Sequence, residues 1–473
     1  MKKTYLAFDL GASSGRGILG TIEDGKISLN EIHRFPNGPK EINGELYWDF
    51  DSLISEIKTG LKKAVAACDE IAGIAVDTWG VDYVLLKENG EFARLPYQYR
   101  DSRTDGVPEE LFENIISQED LYSKVGIQSM FFNTIYQLMA HSRQHPEDFE
   151  NAKLLFMPDA ISYMLSGNPT CEYTIASTSG LLNARTRTWD YEVIEKIGLP
   201  KDIFPEIVPP CTPAGTLKDE LKKEFGCGDI PIYRTGSHDT ASAVASVPAN
   251  PAKKWAYISC GTWALFGIEN DAPILTPEAM KAGCTNEGGL NGKIRFLTNI
   301  NGTWLIQETR RVWKEAGKDL TFRDIEEMAA GAPASEHRID PNDQLFVPPG
   351  DMPARVREYC EKHGESVPES DRDVLRCIYD SLAMCFSDKL KEFEKLGNMK
   401  FDVLHIVGGG TNDKLLMQLS ANFAKIPVVT GPVEATAIGN VIGQAIAAGD
   451  IGSLDEGREI VKKSFPTDIF LPE

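Results

Sequence analysis

Much of what is missing from this chain narrows what it can be. No C-x-x-C occurs among its nine cysteines, so the usual spacings of a zinc site or a redox dithiol are absent. The odd count cannot be fully paired. Cys360 and Cys377 flank a turn, His363 to Ser370, between two expected helices and so could meet, although a reducing compartment disfavours a bond. Positive charge is also short: 49 Lys and Arg against 70 Asp and Glu leave a formal charge of −21. Nucleic acid and anionic membranes need clustered basic residues, so neither is an expected partner. No stretch approaches the ~20 apolar residues of a membrane span. Lys2 and Lys3 imitate the start of a signal peptide, but Asp9 interrupts the apolar run that follows, and the expected location is the cytoplasm. No G-x-x-x-x-G-K-[ST] phosphate loop occurs either.

What is present suffices for a large core. Hydrophobic residues make up 42% and charged residues 25% of 473 positions, an ordinary globular balance with room for roughly two to three domains. The organising stretch is Thr4 to Ile18. An apolar run, Tyr5 to Phe8, stops at Asp9; Leu10 to Arg16 is rich in glycine and hydroxyls; apolar residues resume at Ile18. This spacing predicts a buried strand, a tight turn and a returning strand. Such a turn presents backbone N–H groups to an anion, and Asp9 at the strand end can face a metal ion beside it. A hairpin in which Asp and Gly serve only geometry fits the same residues.

A third strand is expected near Ile27 to Phe35, then a helix capped by Asp51 with Leu53, Ile57, Leu61, Ala64 and Cys68 on one face. A buried strand over Ile71 to Val76 leads into Asp77-Thr78-Trp79-Gly80-Val81-Asp82. Residues about 95–234 are less periodic and read as an insertion of the kind that supplies a substrate pocket or merely embellishes a core. Pro248 to Pro251 marks a domain boundary, giving lobes 1–248 and 249–473. Beyond it Trp255 to Ser259, Cys260 to Trp263 and Ala264 to Ile268 repeat the strand, turn and strand of the N-terminus. A long helix begins at Ser370. Val403 to Val407 then reads as a buried strand ending in Gly408-Gly409-Gly410, where a flat ligand could lie against backbone or the chain could simply turn tightly.

Eight segments in order resemble the FGGY carbohydrate kinases of the actin-like ATPase superfamily: FDLGASSGR (Phe8 to Arg16), DTWGVDY (Asp77 to Tyr83), YRDSRT (Tyr99 to Thr104), SHDTASAV (Ser237 to Val244), SCGTW (Ser259 to Trp263), TNEGG (Thr285 to Gly289), HIVGGG (His405 to Gly410) and GPVEATAIGN (Gly431 to Asn440). The resemblance implies an α/β fold of two ribonuclease H-like lobes with a cleft between them. It implies transfer of the γ-phosphoryl group of ATP, with Mg²⁺, to the 1-hydroxyl of a ketose, L-rhamnulose; L-fuculose and D-xylulose are the alternatives. It places ATP contacts at Ala12, Ser13, Ser14, Gly15, Arg16, Thr262, Gln307 and Gly409. Sugar contacts fall on Gly80, His238, Asp239, Thr240 and Asn299, the proton acceptor on Asp239 and the metal carboxylate on Asp9.

The residues themselves leave room for other roles. Ile232 to Arg234 reads as a strand and Thr240 to Val247 as a helix, so Asp239 is also placed to cap that helix. Asp77 and Asp82 can brace the turn that holds Gly80. Arg100 and Arg103, with Asp101 between them, suit an internal salt-bridge network as well as sugar. An actin-like ATPase that uses nucleotide as a switch is the alternative from another class; stimulation of ATP turnover by a ketose separates the two.

Overall fold

The computed structural model describes residues 2–473. In chain order its main elements are β1 (Lys3–Leu10), β2 (Ser14–Glu23), β3 (Lys26–Pro36), α1 (Phe50–Ala67), β4 (Gly73–Thr78), β5 (Thr212–Thr216), β6 (Pro231–Arg234) and α2 (Asp239–Ala245). There follow β7 (Trp255–Cys260), β8 (Trp263–Asn270), β9 (Ile294–Asn301), α3 (Trp304–Glu315), α4 (Asp371–Leu396), β10 (Val403–Val407), α5 (Lys414–Ala424), β11 (Val428–Thr430), α6 (Ala435–Ala448), α7 (Leu454–Ser464) and β12 (Ile469–Phe470).

The chain forms two compact units. The first comprises the chain up to Ser246 together with Glu269–Phe296 and Ala435–Ser464; the second comprises Val247–Ile268, Leu297–Glu434 and Phe465–Glu473. A single cut after residue 248 therefore follows the chain but not the packing, because two later segments return to the first unit. Residues of the less periodic stretch 95–234 also belong there, and its end supplies β5 and β6 to the sheet.

The first unit is built on a six-stranded sheet of order β5-β6-β4-β1-β2-β3. β1 lies in its interior and Tyr5, Leu6, Ala7 and Phe8 are fully buried, which is why its sequence is an unbroken apolar run instead of an alternation. It pairs antiparallel with β2 and parallel with β4. α1 begins one residue before Asp51: its cap is Asp49, which accepts from Ser52 N at 3.3 Å, because Phe50 is already buried as the first helical residue. α6 packs on α2 so closely that a Cβ on Gly439 would lie 1.7 Å from Ser242 O. Only glycine allows that approach.

A seven-stranded sheet repeats the plan: after an edge strand at Thr285–Gly288 it runs β9-β8-β7-β10-β11-β12, and within β8 and β9 the residues up to Ile268 and from Leu297 belong to the second unit while Glu269–Phe296, Arg295 included, belong to the first. Here β7 pairs antiparallel with β8 and parallel with β10, as β1 does with β2 and β4. Its first turn is likewise closed from a glycine N–H but is one residue shorter: Gly261 N donates to Trp263 O at 2.8 Å, where Gly11 N donates to Ser14 O at 2.9 Å. α4 carries a capping box at Ser370 and Asp373. On α4, Cys377 meets Cys360 as a free thiol.

Candidate active site

Strand register creates the acidic end of the first unit. Asp9 on β1 is opposite Arg16 on β2 and opposite Asp77 on β4. Arg16 donates to Asp9. Asp77 is fully buried; its Oδ2 accepts from Asn440 Nδ2 at 2.6 Å, and its Oδ1 has no hydrogen-bond partner. Burial, followed by the charges of Asp9 and, more weakly, Asp239, holds the Asp77 carboxyl well above the usual carboxylate range, against the donation from Asn440. Three carboxylates thus act on one small region.

Asp239 reaches that region from the turn between β6 and α2. The turn runs beside the end of β4, where Thr78 N donates to Ser237 O at 2.9 Å and Thr78 bridges His238, so the Gly80 turn and the Ser237 to Asp239 turn are held side by side. Asp239 is the first residue of α2 and not its cap; His238 occupies the cap position. Asp239 Oδ1 accepts from Thr240 N at 2.5 Å and Thr240 Oγ1 at 3.1 Å, and lies 3.4 Å from His238 Nε2. One carboxylate oxygen is therefore occupied in holding the turn while the other remains available for chemistry.

Beneath this turn is Glu172, an acid in the mixed run Thr170 to Thr174 that the sequence does not mark out. It is fully buried and accepts from Thr174 N at 2.8 Å, Thr174 Oγ1 at 2.5 Å, Ile175 N at 3.2 Å and Ser237 N at 3.3 Å. Thr174 Oγ1 in turn accepts from His238 N at 3.2 Å. Burial pushes the Glu172 carboxyl up to about 7, against these donors.

The residues near Gly80 are over-determined. Val81 adopts φ of 69°, a costly conformation for a β-branched residue that persists only where its surroundings enforce it. Thr178 Oγ1 accepts from Val81 N at 3.1 Å and Thr134 Oγ1 donates to Val81 O at 2.6 Å. Asp82 ties down two indoles, accepting from Trp48 Nε1 at 2.6 Å and Trp79 Nε1 at 3.0 Å, with Gln137 Nε2 at 2.9 Å on its other oxygen. Burial pushes Asp82 up to about 6 in spite of those donors. Arg103 is internal: it pairs with Asp101 at 3.3 Å, donates to Gln137 at 2.6 Å and covers the Tyr97 ring at 3.9 Å.

In the Ala12 to Arg16 turn, Ser13 is exposed and Ala12, Ser14 and Arg16 are partly so, whereas Gly15 is buried. A Cβ there would come within 2.2 Å of Phe35 Cζ, so Gly15 answers first to packing. The second unit carries the other expected nucleotide contacts. Thr262 is exposed and its Oγ1 donates to Gln307 Oε1 at 3.2 Å. The three glycines after β10 differ in kind. Gly408 has φ of 91° and abuts Cys260 O, and a Cβ on Gly410 would lie 2.3 Å from Cys260 Sγ, but one on Gly409 would meet nothing within 4 Å. Asn299 lies exposed on β9.

Residues 4–246 match the model of the FGGY family of carbohydrate kinases, N-terminal domain, and residues 256–448 that of the C-terminal domain. A rhamnulokinase from Bacteroides thetaiotaomicron is 43% identical over 474 aligned positions, covering 100% of this chain and 96% of the relative. One from Bacillus subtilis is 38% identical, covering 99% of this chain and 95% of its own length. Among solved structures, a gluconate kinase from Lactobacillus acidophilus superposes with a TM-score of 0.81 at 19% identity, covering 100% of this chain and 94% of that one. The glycerol kinase of Plasmodium falciparum with ADP gives 0.77 at 15%, with the same coverages; at such identities these two speak for the fold alone.

Proposed function

Since the chain belongs to the FGGY family of carbohydrate kinases, we propose that it transfers the γ-phosphoryl group of ATP to the 1-hydroxyl of L-rhamnulose, with Asp239 as proton acceptor. The rhamnulokinases that align along the whole chain support the choice of sugar. The observation that carries the mechanism is the division of labour on Asp239, where Oδ1 is engaged by Thr240 and Oδ2 is left for the hydroxyl proton.

Phosphoryl transfer proceeds through a loose transition state, so the protein mainly positions groups and neutralises charge. The sugar oxygen forms its bond to phosphorus as the bond from phosphorus to the β,γ-bridging oxygen breaks and ADP leaves. The hydroxyl proton passes to Asp239 Oδ2. In this reading His238, Thr240, Gly80 and Asn299 orient the sugar. Ala12 to Arg16, Thr262, Gln307 and Gly409 hold the nucleotide.

The acidic end of β1 and β4 suits a divalent cation. Asp77 Oδ1 is buried without a partner beside Asp9, although among the described residues no three His, Cys, Asp or Glu side chains form a cage. That combination fits Mg²⁺, which commonly rests on one or two carboxylates, water and substrate phosphates; Asp9 would hold it. When bound, the ion supplies neutralisation of phosphate charge.

ADP release measured with ATP, Mg²⁺ and a panel of ketoses and aldoses tests the proposal. L-rhamnulose is expected to give the highest kcat/KM, with little turnover in the absence of sugar. A preference for L-fuculose or D-xylulose would overturn the substrate, and sugar-independent ATP hydrolysis would overturn the kinase reading.

A further inference from the structure

A buried arginine stands behind His238. Arg295, second residue of β9, is fully buried in an otherwise apolar stretch of strand, a placement that is tolerable only where the guanidinium is paired and hydrogen-bonded. Its Nε donates to Gly288 O at 2.8 Å, and its Nη2 lies 3.0 Å from Glu287 Oε2 and 3.0 Å from His238 Nδ1. Glu287 Oε2 is itself 3.2 Å from His238 Nδ1. On its far side the ring presents Nε2 to Asp239 Oδ1 at 3.4 Å.

These contacts restrict where the ring can carry its proton. A guanidinium only donates. The two hydrogens on Nη2 are matched by two neighbours, the Glu287 carboxylate and His238 Nδ1, so Nδ1 is the acceptor. With Nδ1 accepting, the ring carries its hydrogen on Nε2, the nitrogen that faces Asp239 Oδ1 at 3.4 Å. Arg295 also decides what Glu287 can do: burial alone would raise that carboxyl, but the charge of Arg295 opposes it and the carboxyl lies below its ordinary value. Without the arginine, Glu287 would be a bare carboxylate against Nδ1 and would draw the proton to that side.

We infer that Arg295 and Glu287 are positioning residues for the reaction: they keep the His238 proton on Nε2, the nitrogen that faces Asp239 Oδ1, and so leave Oδ2 for the sugar's proton. The inference rests on the role of Asp239 proposed above. It assigns a task to two residues that touch neither sugar nor nucleotide in that proposal. With the opposite tautomer a lone pair would face Asp239 Oδ1, and the carboxylate would lose its fixed orientation.

Nitrogen NMR of histidine-labelled full-length protein reads the ring directly, with the His238 signals assigned by their loss in His238→Gln. The expected spectrum at neutral pH shows Nδ1 unprotonated and Nε2 protonated. Arg295→Met is expected to move the proton to Nδ1 and to lower kcat about 10-fold to 100-fold, with the KM for ATP within about twofold of wild type, as for other groups that orient a catalytic residue through a neighbour. Arg295→Lys, which restores a donor and a charge, is expected to recover part of the rate and the original tautomer. A wild-type ring protonated on Nδ1, or on both nitrogens, overturns the inference, and so does an Arg295→Met protein with unchanged kcat. Should Arg295→Met not fold, the wild-type spectrum and the Arg295→Lys rate decide. The proton position is read without turnover, so an enzyme that fails to phosphorylate any ketose while showing the expected ring sinks the proposed function and not the tautomer.

Discussion

Replacing Asp239 with Asn exchanges one oxygen for an amide nitrogen, and the contacts with Thr240 distinguish the two oxygens. The retained Oδ1 still accepts from Thr240 N at 2.5 Å and Thr240 Oγ1 at 3.1 Å, so the turn keeps its hydrogen bonds and folding stability should change by no more than about 1 kcal/mol. The group at Oδ2 becomes a donor and cannot take the proton that the proposed mechanism assigns to it. Loss of a general base typically lowers the rate by about 10²-fold to 10⁴-fold, or roughly 3 to 5.5 kcal/mol of barrier. The assay is initial-rate ADP release at saturating L-rhamnulose, with ATP affinity measured by equilibrium binding and Tm by calorimetry. The expected pattern is a collapsed kcat with ATP affinity and Tm near wild type. A kcat within about threefold of wild type would refute the reasoning, since the variant keeps every contact of Asp239 except its basicity.

Two further perturbations separate binding from packing and charge from fold. Gly409→Val is expected to raise the KM for ATP more than that for sugar while leaving Tm unchanged, because a side chain there meets only open space; Gly410→Val is expected to lower Tm instead, by driving into Cys260. Unchanged KM in the first variant would refute the proposed nucleotide contact at Gly409. Glu172 has a folded-state pKa raised from 4.5 to about 7, so the folded protein holds a proton that the unfolded chain has released between those values. Its contribution to stability is complete below about pH 4.5 and is lost as pH rises through 7. Glu172→Gln should therefore flatten the fall of Tm between pH 5 and 8, by the equivalent of at most about 3.5 kcal/mol of stability, and an identical slope in both proteins would show that Glu172 does not titrate as its burial implies.

The hairpin turns were readable because their signal is local. An apolar run ending in Asp9-Leu10-Gly11, and its counterpart ending in Cys260-Gly261-Thr262, can each form only one kind of strand end, and the duplicated pairing of β1 and β7 follows. The strand, turn and helix around Asp239 were equally plain. Glu172, Glu287 and Arg295 were not: Glu287 and Arg295 are close in sequence, but what they and Glu172 act on is distant, since Glu172 serves Ser237 and Arg295 serves His238. A charged residue in an apolar strand announces that some partner exists and not which one. The cap of α1 moved from Asp51 to Asp49 because two acids two residues apart offer the same chemistry, and the burial of Phe50 chose between them. The membership of Ala435–Ser464 in the first unit had no local mark beyond the small residues of α6, whose meaning depends on what they touch.

That return of α6 has a consequence for how the molecule is made. The helix that begins with Asp239 is braced by one whose Gly439 emerges from the ribosome about 200 residues later, and at roughly 5 to 20 residues per second that interval is about 10 to 40 s. Throughout it the acidic end of β1 and β4 lacks Asn440, the donor to Asp77, and the backbone at Ser242 lacks its cover. The nascent chain thus holds Asp9, Asp77 and Asp239 long before it can hold them in place. Synthesis cut short at Glu434 would yield a protein with every one of those carboxylates and no braced site to put them in.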